Sequence, residues 1–312
     1  MMMRKIITNS NLPNKSNTCA IVTVYLPEAD ILHHIDKIKR QVHHIVVINN
    51  HCDQDTLNAL TRILSDSSSN SITTNSFNMG LAYALNQGIE IVSHTNMEWV
   101  LLLDQDTVVD DNIIMELSKT ISTMSIMPAI LGANYRNIND DSVAFHCKQS
   151  KNIYQNKATV ITSGSLLNLA LARHIGPFRS EYFIDSIDHE YCMRARSLGY
   201  EICITCKSLM THSIGVQGNT FINRIQCLLS HPHNPERKYY VARNTIVTAK
   251  DYIHKFPFWS IRQFLRILAD LLSTVFFEDK KKQRILFTMS GLIDGLKSNF
   301  KTGPLEIDNV EP

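Results

Sequence analysis

Apolar runs of strand length alternate with amphipathic stretches of helix length through the first third of the chain. Cys19 to Tyr25 and 98–103 read as buried strands, His44 to Ile48 as a second strand and Ile72 to Thr74 as a short one. Between them, Asp30 to Arg40 and Thr56 to Leu64 carry helical periodicity. Gly80 to Ser93 places Leu81, Ala84, Leu85 and Gly88 along one face. Four strands separated by helix-length segments predict βαβ crossovers and a mostly parallel sheet, hence an α/β fold. The Ser-rich stretch 65–71 is a surface loop, and residues 1–17 are polar and loosely held. Beyond Asp106 the pattern changes. Ala129 to Asn134, Ser142 to Cys147 and Ala158 to Thr162 are short strand candidates, and Ser163-Gly164-Ser165 leads into a helix-like segment ending at Ile175.

The strand 98–103 runs directly into Asp104-Gln105-Asp106. Carboxylates two apart in extended backbone point the same way, and open α/β sheets bind ligands at the carboxyl ends of their strands. Such a pair suits a hard divalent cation, which in turn holds a diphosphate. The same triplet recurs at Asp53-Gln54-Asp55, where it reads as a solvated turn. A second group of carboxylates, Asp185, Asp188 and Glu190, follows the apolar entry Phe183-Ile184. As the start of a helix these charges suit the helix dipole, with Asp185 as a cap. Their crowding beside apolar residues predicts instead a raised pKa for one of them, as a general base near neutral pH requires.

Composition narrows the classes. With 312 residues and 44% hydrophobic content, the chain can bury one large core or a core with an appendage. A net charge of +2 gives no nucleic-acid signature. Neither Gly-x-Gly-x-x-Gly nor Gly-x-x-x-x-Gly-Lys occurs, so dinucleotide and P-loop readings have no support. Seven cysteines without a signal-peptide pattern point to a reducing, cytosolic setting. Cys203 and Cys206 are expected as buried thiols in a strand, since no second pair with zinc-ribbon spacing accompanies them. No apolar run reaches the ~18 residues needed to span a bilayer.

The order of motifs is more specific than any one of them. Asn49-Asn50 after the second strand, Asn78-Met79-Gly80-Leu81-Ala82-Tyr83-Ala84-Leu85-Asn86-Gln87-Gly88-Ile89, and then Asp104-Gln105-Asp106 together resemble an inverting family 2 glycosyltransferase. Ser163-Gly164, Gly176-Pro177-Phe178, Asp185-x-x-Asp188-x-Glu190, Gly199-Tyr200 and His212-Ser213-Ile214-Gly215 resemble its bacterial rhamnosyltransferase branch, over roughly residues 19–250. The resemblance implies the glycosyltransferase A fold, a Rossmann-like mixed sheet flanked by helices, with a C-terminal helical region. It implies donor binding by Asp104 and Gln105, with Tyr25, Asn49 and Asn78 in loops around the nucleotide. It implies Mg2+ or Mn2+ on Asp106 and His212, Asp188 as the base that deprotonates the acceptor hydroxyl, and Asp185 and Glu190 as acceptor-contacting or orienting groups. Asn49 stands where relatives usually carry Asp; an amide still offers a donor and an acceptor to a pyrimidine. Leu26 replaces an Asn commonly found after the tyrosine.

The implied reaction is transfer of L-rhamnose from dTDP-L-rhamnose to a polyprenyl-diphosphate-linked oligosaccharide in O-antigen or capsule assembly. Alternatives are a family 2 transferase using a UDP-hexose or UDP-galactofuranose, and a peripheral membrane scaffold with a degenerate domain. A nucleotidyltransferase would need a Gly- and Lys/Arg-rich loop near the first strand, and Tyr25-Leu26-Pro27-Glu28 has neither. The expected organisation is a loose N-terminus (1–17), a catalytic domain (18–232), a helical region (233–300) and a tail (301–312). In the helical region Phe258, Trp259, Phe264, Leu265, Leu268, Leu271, Leu272, Phe276 and Phe277 are interrupted by Arg262, Arg266 and Asp270, followed by Lys280-Lys281-Lys282 and Arg284. Those charges forbid a membrane span but suit an anionic membrane surface, at the cytoplasmic face of the cell membrane. Packing on the catalytic domain or a homodimer is the alternative use of these helices.

Overall fold

The structure, a computed structural model, describes residues 12–28, 30–147, 152–212, 235–278, 280–300 and 303. The chain forms two compact units, residues 1–180 with 191–213, and residues 181–190 with 214–312. The extreme N-terminus, Ser213-Ile214-Gly215 and most of the expected 301–312 tail lie outside the described residues.

The first unit is built on one mixed sheet. Its strands are β1 (Thr18–Val24), β2 (His44–Asn49), β3 (Ser71–Thr74), β4 (Trp99–Asp104), β5 (Val108–Val109), β6 (Ile130–Asn137), β7 (Tyr154–Asn156), β8 (Ser165–Asn168) and β9 (Ile202–His212). The order is β3-β2-β1-β4-β8-β6-β9-β5, with β7 also pairing with β9. The β3-β2-β1-β4 half is parallel, and the pairing turns antiparallel at β4–β8. Helices α1 (Ile31–Lys39), α2 (Gln54–Leu64) and α3 (Leu81–Ser93) make the crossovers, as the apolar periodicity predicts; α4 (Ile113–Ser122), α5 (Leu169–Ile175) and α6 (Ile187–Ser197) follow. Every residue of β1 and β2 is buried, and so are Trp99 to Leu103. A strand without a polar face is stable only at the centre of a covered sheet, and β1 and β4 are neighbours there.

Several expectations beyond Asp106 need correction. Ser142 to Cys147 contributes only a bridge between Arg136 and Val143, and Ala158 to Thr162 forms no strand. The segment expected as helix-like up to Ile175 is helical only from Leu169; residues 166–168 belong to β8, whose pairing with β4 and β6 overrides the helical propensity of two leucines. Of the two expected buried thiols, Cys203 is free and buried, whereas Cys206 is disulfide-bonded to Cys147. The loop after Val143 returns across β6, where the buried Asn134 side chain donates to the carbonyls of Phe145 (2.8 Å) and Cys206 (3.2 Å), bringing the two cysteines together.

The second unit centres on α7 (Pro235–Tyr252), with α8 (Pro257–Phe277) and α9 (Lys281–Lys297) packed against it. A Cβ at Gly291 would overlap the Tyr239 carbonyl, and one at Gly295 would lie 2.8 Å from that of Arg243, so these glycines let α9 approach the α7 backbone. Lys238 on α7 is 2% exposed and pairs with Asp270 (2.7 Å) and Glu278 (3.0 Å); Arg284 of α9 closes the network on Glu278 at 2.9 Å. Arg284 is therefore a buried structural cation, not a member of the surface basic cluster; only Lys280, Lys281 and Lys282 of that group face solvent. Among the described residues no helix is long and apolar enough to cross a membrane.

Candidate active site

β4 ends at Asp104, and the chain turns through Gln105 and Asp106 before β5 pairs with the end of β9. That pairing sets Val108 opposite Thr211 and so brings His212 back to the two carboxylates. Asp104, Asp106 and His212 each offer a ligand atom, all within 4.8 Å of one another. Two carboxylate oxygens and an imidazole nitrogen form a donor set that fits Mg2+, Mn2+ or a similar divalent ion.

The cluster is held from behind. The Asp104 N–H donates to Ser163 Oγ (3.0 Å), Ser163 Oγ shares a hydrogen bond with Thr107 Oγ1 (2.6 Å), and Thr107 Oγ1 meets His212 Nδ1 at 3.0 Å. Ser163 and Thr107 are buried, so this relay fixes the imidazole and the strand end together. Gly164 beside it has φ +74, a left-handed conformation that glycine adopts without strain. Burial alone would depress the His212 pKa, but the hydrogen bond and charge of Asp106, with the charge of Asp104, outweigh it and hold the value above the ordinary 6.5. Asp106 Oδ1 is 3.3 Å from Nδ1, and the Tyr135 ring meets the imidazole edge-on.

The expected donor residues gather at the same strand ends. Gln105 Oε1 accepts the Tyr25 N–H (2.7 Å) and its carbonyl meets His34 Nδ1 (2.8 Å), so Gln105 ties the ends of β1 and β4. The Tyr25 side chain is exposed. Asn49 is buried at the end of β2, and its Oδ1 has no hydrogen-bond partner among the described residues. Asn78 accepts from Asn50 Nδ2 (2.6 Å) and the Gly80 N–H (2.9 Å), folding the loop that opens α3.

The second carboxylate group belongs to the 181–190 segment of the second unit. The helix α6 (Ile187–Ser197) begins there. Asp185 is not a helix cap: it lies before Ser186, whose carbonyl accepts the first helical N–H, from Glu190. Its carboxylate instead takes two hydrogen bonds of 2.8 Å from Arg237. Glu190 is 1% exposed and its Oε1 accepts the Tyr252 O–H at 3.0 Å. Asp188 accepts the His189 N–H at 2.7 Å and lines a cavity of about 340 Å³ with Arg237, Gln263 and Arg266. Asp185 (φ 67) and Ser186 (φ 59) are both left-handed, which costs roughly 1–2 kcal/mol per residue for L-amino acids. Sequence reasoning missed Thr107 as the relay, and Arg237 and Asn244 as the partners of this segment. Thr107 could have been suspected from its place directly after Asp106.

Residues 19–174 match the family model described as glycosyl transferase family 2. This chain is a glycosyltransferase and belongs to that family. It is 26% identical over 297 residues to the dTDP-rhamnosyl transferase RfbF of Shigella flexneri, covering 89% of this chain and 96% of the relative. Among solved structures it is similar to S. aureus TarS 1–349 in complex with UDP-GlcNAc (TM-score 0.58, 12% identity, 91% of this chain and 82% of that one). It is also similar to the mannosyltransferase PcManGT of Pyrobaculum calidifontis in complex with GDP-Man and Mn2+ (TM-score 0.54, 12% identity, 96% and 91%). These two likenesses confirm the glycosyltransferase A fold.

Proposed function

We propose that the protein transfers L-rhamnose from dTDP-L-rhamnose, with inversion, to a saccharide carried on polyprenyl diphosphate, in the assembly of an O-antigen or capsule. The observation that carries the reading is the similarity to the Shigella dTDP-rhamnosyl transferase along nearly the whole of both chains. In this reading Asp104, Asp106 and His212 hold Mg2+ or Mn2+. A divalent cation bound there neutralises charge on the departing nucleoside diphosphate. Tyr25, Asn49, Asn78 and Gln105 surround the donor nucleotide. Asp188 takes the proton of the acceptor hydroxyl as its oxygen attacks the anomeric carbon and the bond to the diphosphate breaks on the opposite face. One displacement inverts the centre, so no carboxylate is needed as a covalent nucleophile. Asp185 and Glu190 hold the segment that carries the base.

The acceptor class is supported by the second unit. On α8, Phe258 is 90% exposed and Ile261, Leu265, Leu268, Leu272 and Phe276 are exposed with it. Leu286, Met289, Ile293 and Leu296 are exposed on α9. With the exposed Lys280 to Lys282, these apolar side chains suit the anionic cytoplasmic face of a membrane, where a polyprenyl-linked substrate resides. Sedimentation with anionic but not neutral liposomes, reversed by salt and by Lys→Glu changes at 280–282, is the expected result. Equal recovery in the supernatant with both vesicles would defeat the membrane assignment, and concentration-dependent dimers would assign the same face to a second copy.

The primary test is a screen of nucleotide sugars for metal-dependent hydrolysis. dTDP-L-rhamnose should be cleaved fastest, with product in the inverted configuration when acceptor is present. Cleavage of UDP-hexoses or UDP-galactofuranose alone would reassign the donor, and no cleavage of any nucleotide sugar would favour a scaffold.

A further inference from the structure

The segment before Asp188 is held more firmly than a chain reversal requires. A turn of this kind usually needs one glycine in the left-handed region; here two consecutive non-glycine residues, Asp185 and Ser186, occupy it. Three side chains of α7 hold them. Arg237 grips the Asp185 carboxylate through both Nε and Nη2. Asn244, fully buried, donates from Nδ2 to the carbonyls of Ile184 (2.8 Å) and Asp185 (3.0 Å). Thr245 Oγ1 meets Ser186 Oγ at 3.0 Å. Residues 237, 244 and 245 recur at i, i+7 and i+8, so they share one face of the helix. The peptides 184–186 are thus fixed through a carboxylate, two carbonyls and a hydroxyl, all from one rigid element. Asp188 follows two residues later, in the first turn of α6, and lines the same cavity as Arg237 and Ser186.

We propose that Arg237 and Asn244 are positioning residues, which lock Asp185 and Ser186 in the left-handed conformation and so aim the Asp188 carboxylate into the cavity. The inference rests on the reading of Asp188 as the base. It assigns the energy of the bidentate ion pair to orientation: where a base must meet a hydroxyl within hydrogen-bond reach, a displacement of about 1 Å costs on the order of 10²-fold in rate.

The test uses the full chain, with turnover of dTDP-L-rhamnose in Mn2+, dTDP affinity and thermal unfolding measured on each variant. Asp188→Asn comes first and should lose turnover while keeping dTDP affinity. Arg237→Gln should then lower kcat by roughly 10–100-fold, with dTDP affinity within about twofold of the unaltered protein, and Arg237→Lys should recover part of the loss. Ser186→Gly separates position from folding. Glycine accepts the left-handed conformation without strain, so its thermal stability should hold or rise, and kcat should fall less than in Arg237→Gln because the Arg237 and Asn244 contacts remain. If Arg237→Gln does not fold, Arg237→Lys, which keeps the charge but not the two-nitrogen grip, decides the question. Full kcat in the folded Arg237 variant, or a kcat loss matched by an equal loss of dTDP affinity, would overturn the positioning role. Turnover retained by Asp188→Asn would instead overturn the base assignment, a result distinguishable from the first.

Discussion

The chain contains the triplet Asp-Gln-Asp twice, and the two copies do unrelated work. At 53–55 it begins α2: Asp53 accepts the Thr56 N–H (2.8 Å) and Oγ1 (2.7 Å), and Asp55 stands exposed in the first turn. At 104–106 it ends β4, against the relay of Ser163, Thr107 and His212. The residues are the same; the difference lies in what the backbone does next. The first triplet turns into a helix, whose own N–H groups use up the carboxylate. In the second, the following strand β5 pairs with β9 and delivers a histidine, so oxygen and nitrogen donors converge. A sequence motif acquires chemistry here through a pairing made about a hundred residues away.

Breaking the second triplet should have the largest effect. Asp106→Ala is expected to reduce turnover by about 10³-fold or more and to weaken donor binding, because in the proposed reading it removes a ligand of the divalent cation that would neutralise the diphosphate. Stripping with EDTA should mimic it in the unaltered protein, with recovery on adding Mn2+ or Mg2+; full activity in excess EDTA would refute the metal assignment. Next in size is Thr107→Val, which removes the hydroxyl between Ser163 and His212 while keeping the shape. Metal affinity should fall about 10–100-fold, read by titrating activity against Mn2+; an unchanged titration would mean that the relay does not orient His212.

The smallest effect belongs to the first triplet. Asp53→Ala removes a helix cap and should lower Tm by about 2 °C or less, with kcat unaltered. Its pH dependence has a definite sign. The hydrogen bonds from the Thr56 N–H and hydroxyl hold the Asp53 pKa below its ordinary 3.8 in the folded protein. Asp53 therefore stabilises the fold above that value, and the contribution is lost as pH falls through the lower folded-state value. The Tm gap between the unaltered protein and Asp53→Ala should close in that acid range; a gap that persisted there would show that the carboxylate charge is not what caps α2.

The same contrast explains what was legible in the sequence. The parallel half of the sheet was readable because strands buried on both faces show as unbroken apolar runs, and Gly80-Leu81 announces the start of α3. Asp104 and Asp106 were readable because local extended geometry alone aligns them. His212 was suggested only by the resemblance, since no local pattern says that β5 will fetch it. The start of the helix-like segment, 166–168, differs from expectation because its leucines suit a helix, and only pairing with β4 and β6 makes it a strand. The Cys147–Cys206 bond was missed because a loop crossing gives no periodic signal. Asp185 offered a plausible cap by position, but its partner Arg237 lies 52 residues on.

The burial of α7 has a consequence for the order in which the protein matures. Pro235 to Tyr252 is covered along most of its length, and its polar groups Lys238 and Tyr239 find their partners Asp270, Glu278 and Asp294 only on later segments. During synthesis, therefore, the 181–190 segment emerges well before the helix that holds it, and that helix before the residues that cover it. The part of the chain bearing Asp188 should take its final form only when Gly291 and Gly295 have left the ribosome. A nascent chain halted near residue 255 would carry Asp104, Asp106 and His212 but lack a settled α7, leaving the segment that bears Asp188 without the contacts that hold it. In the proposed reading, synthesis of α9 would then act as the checkpoint for activity.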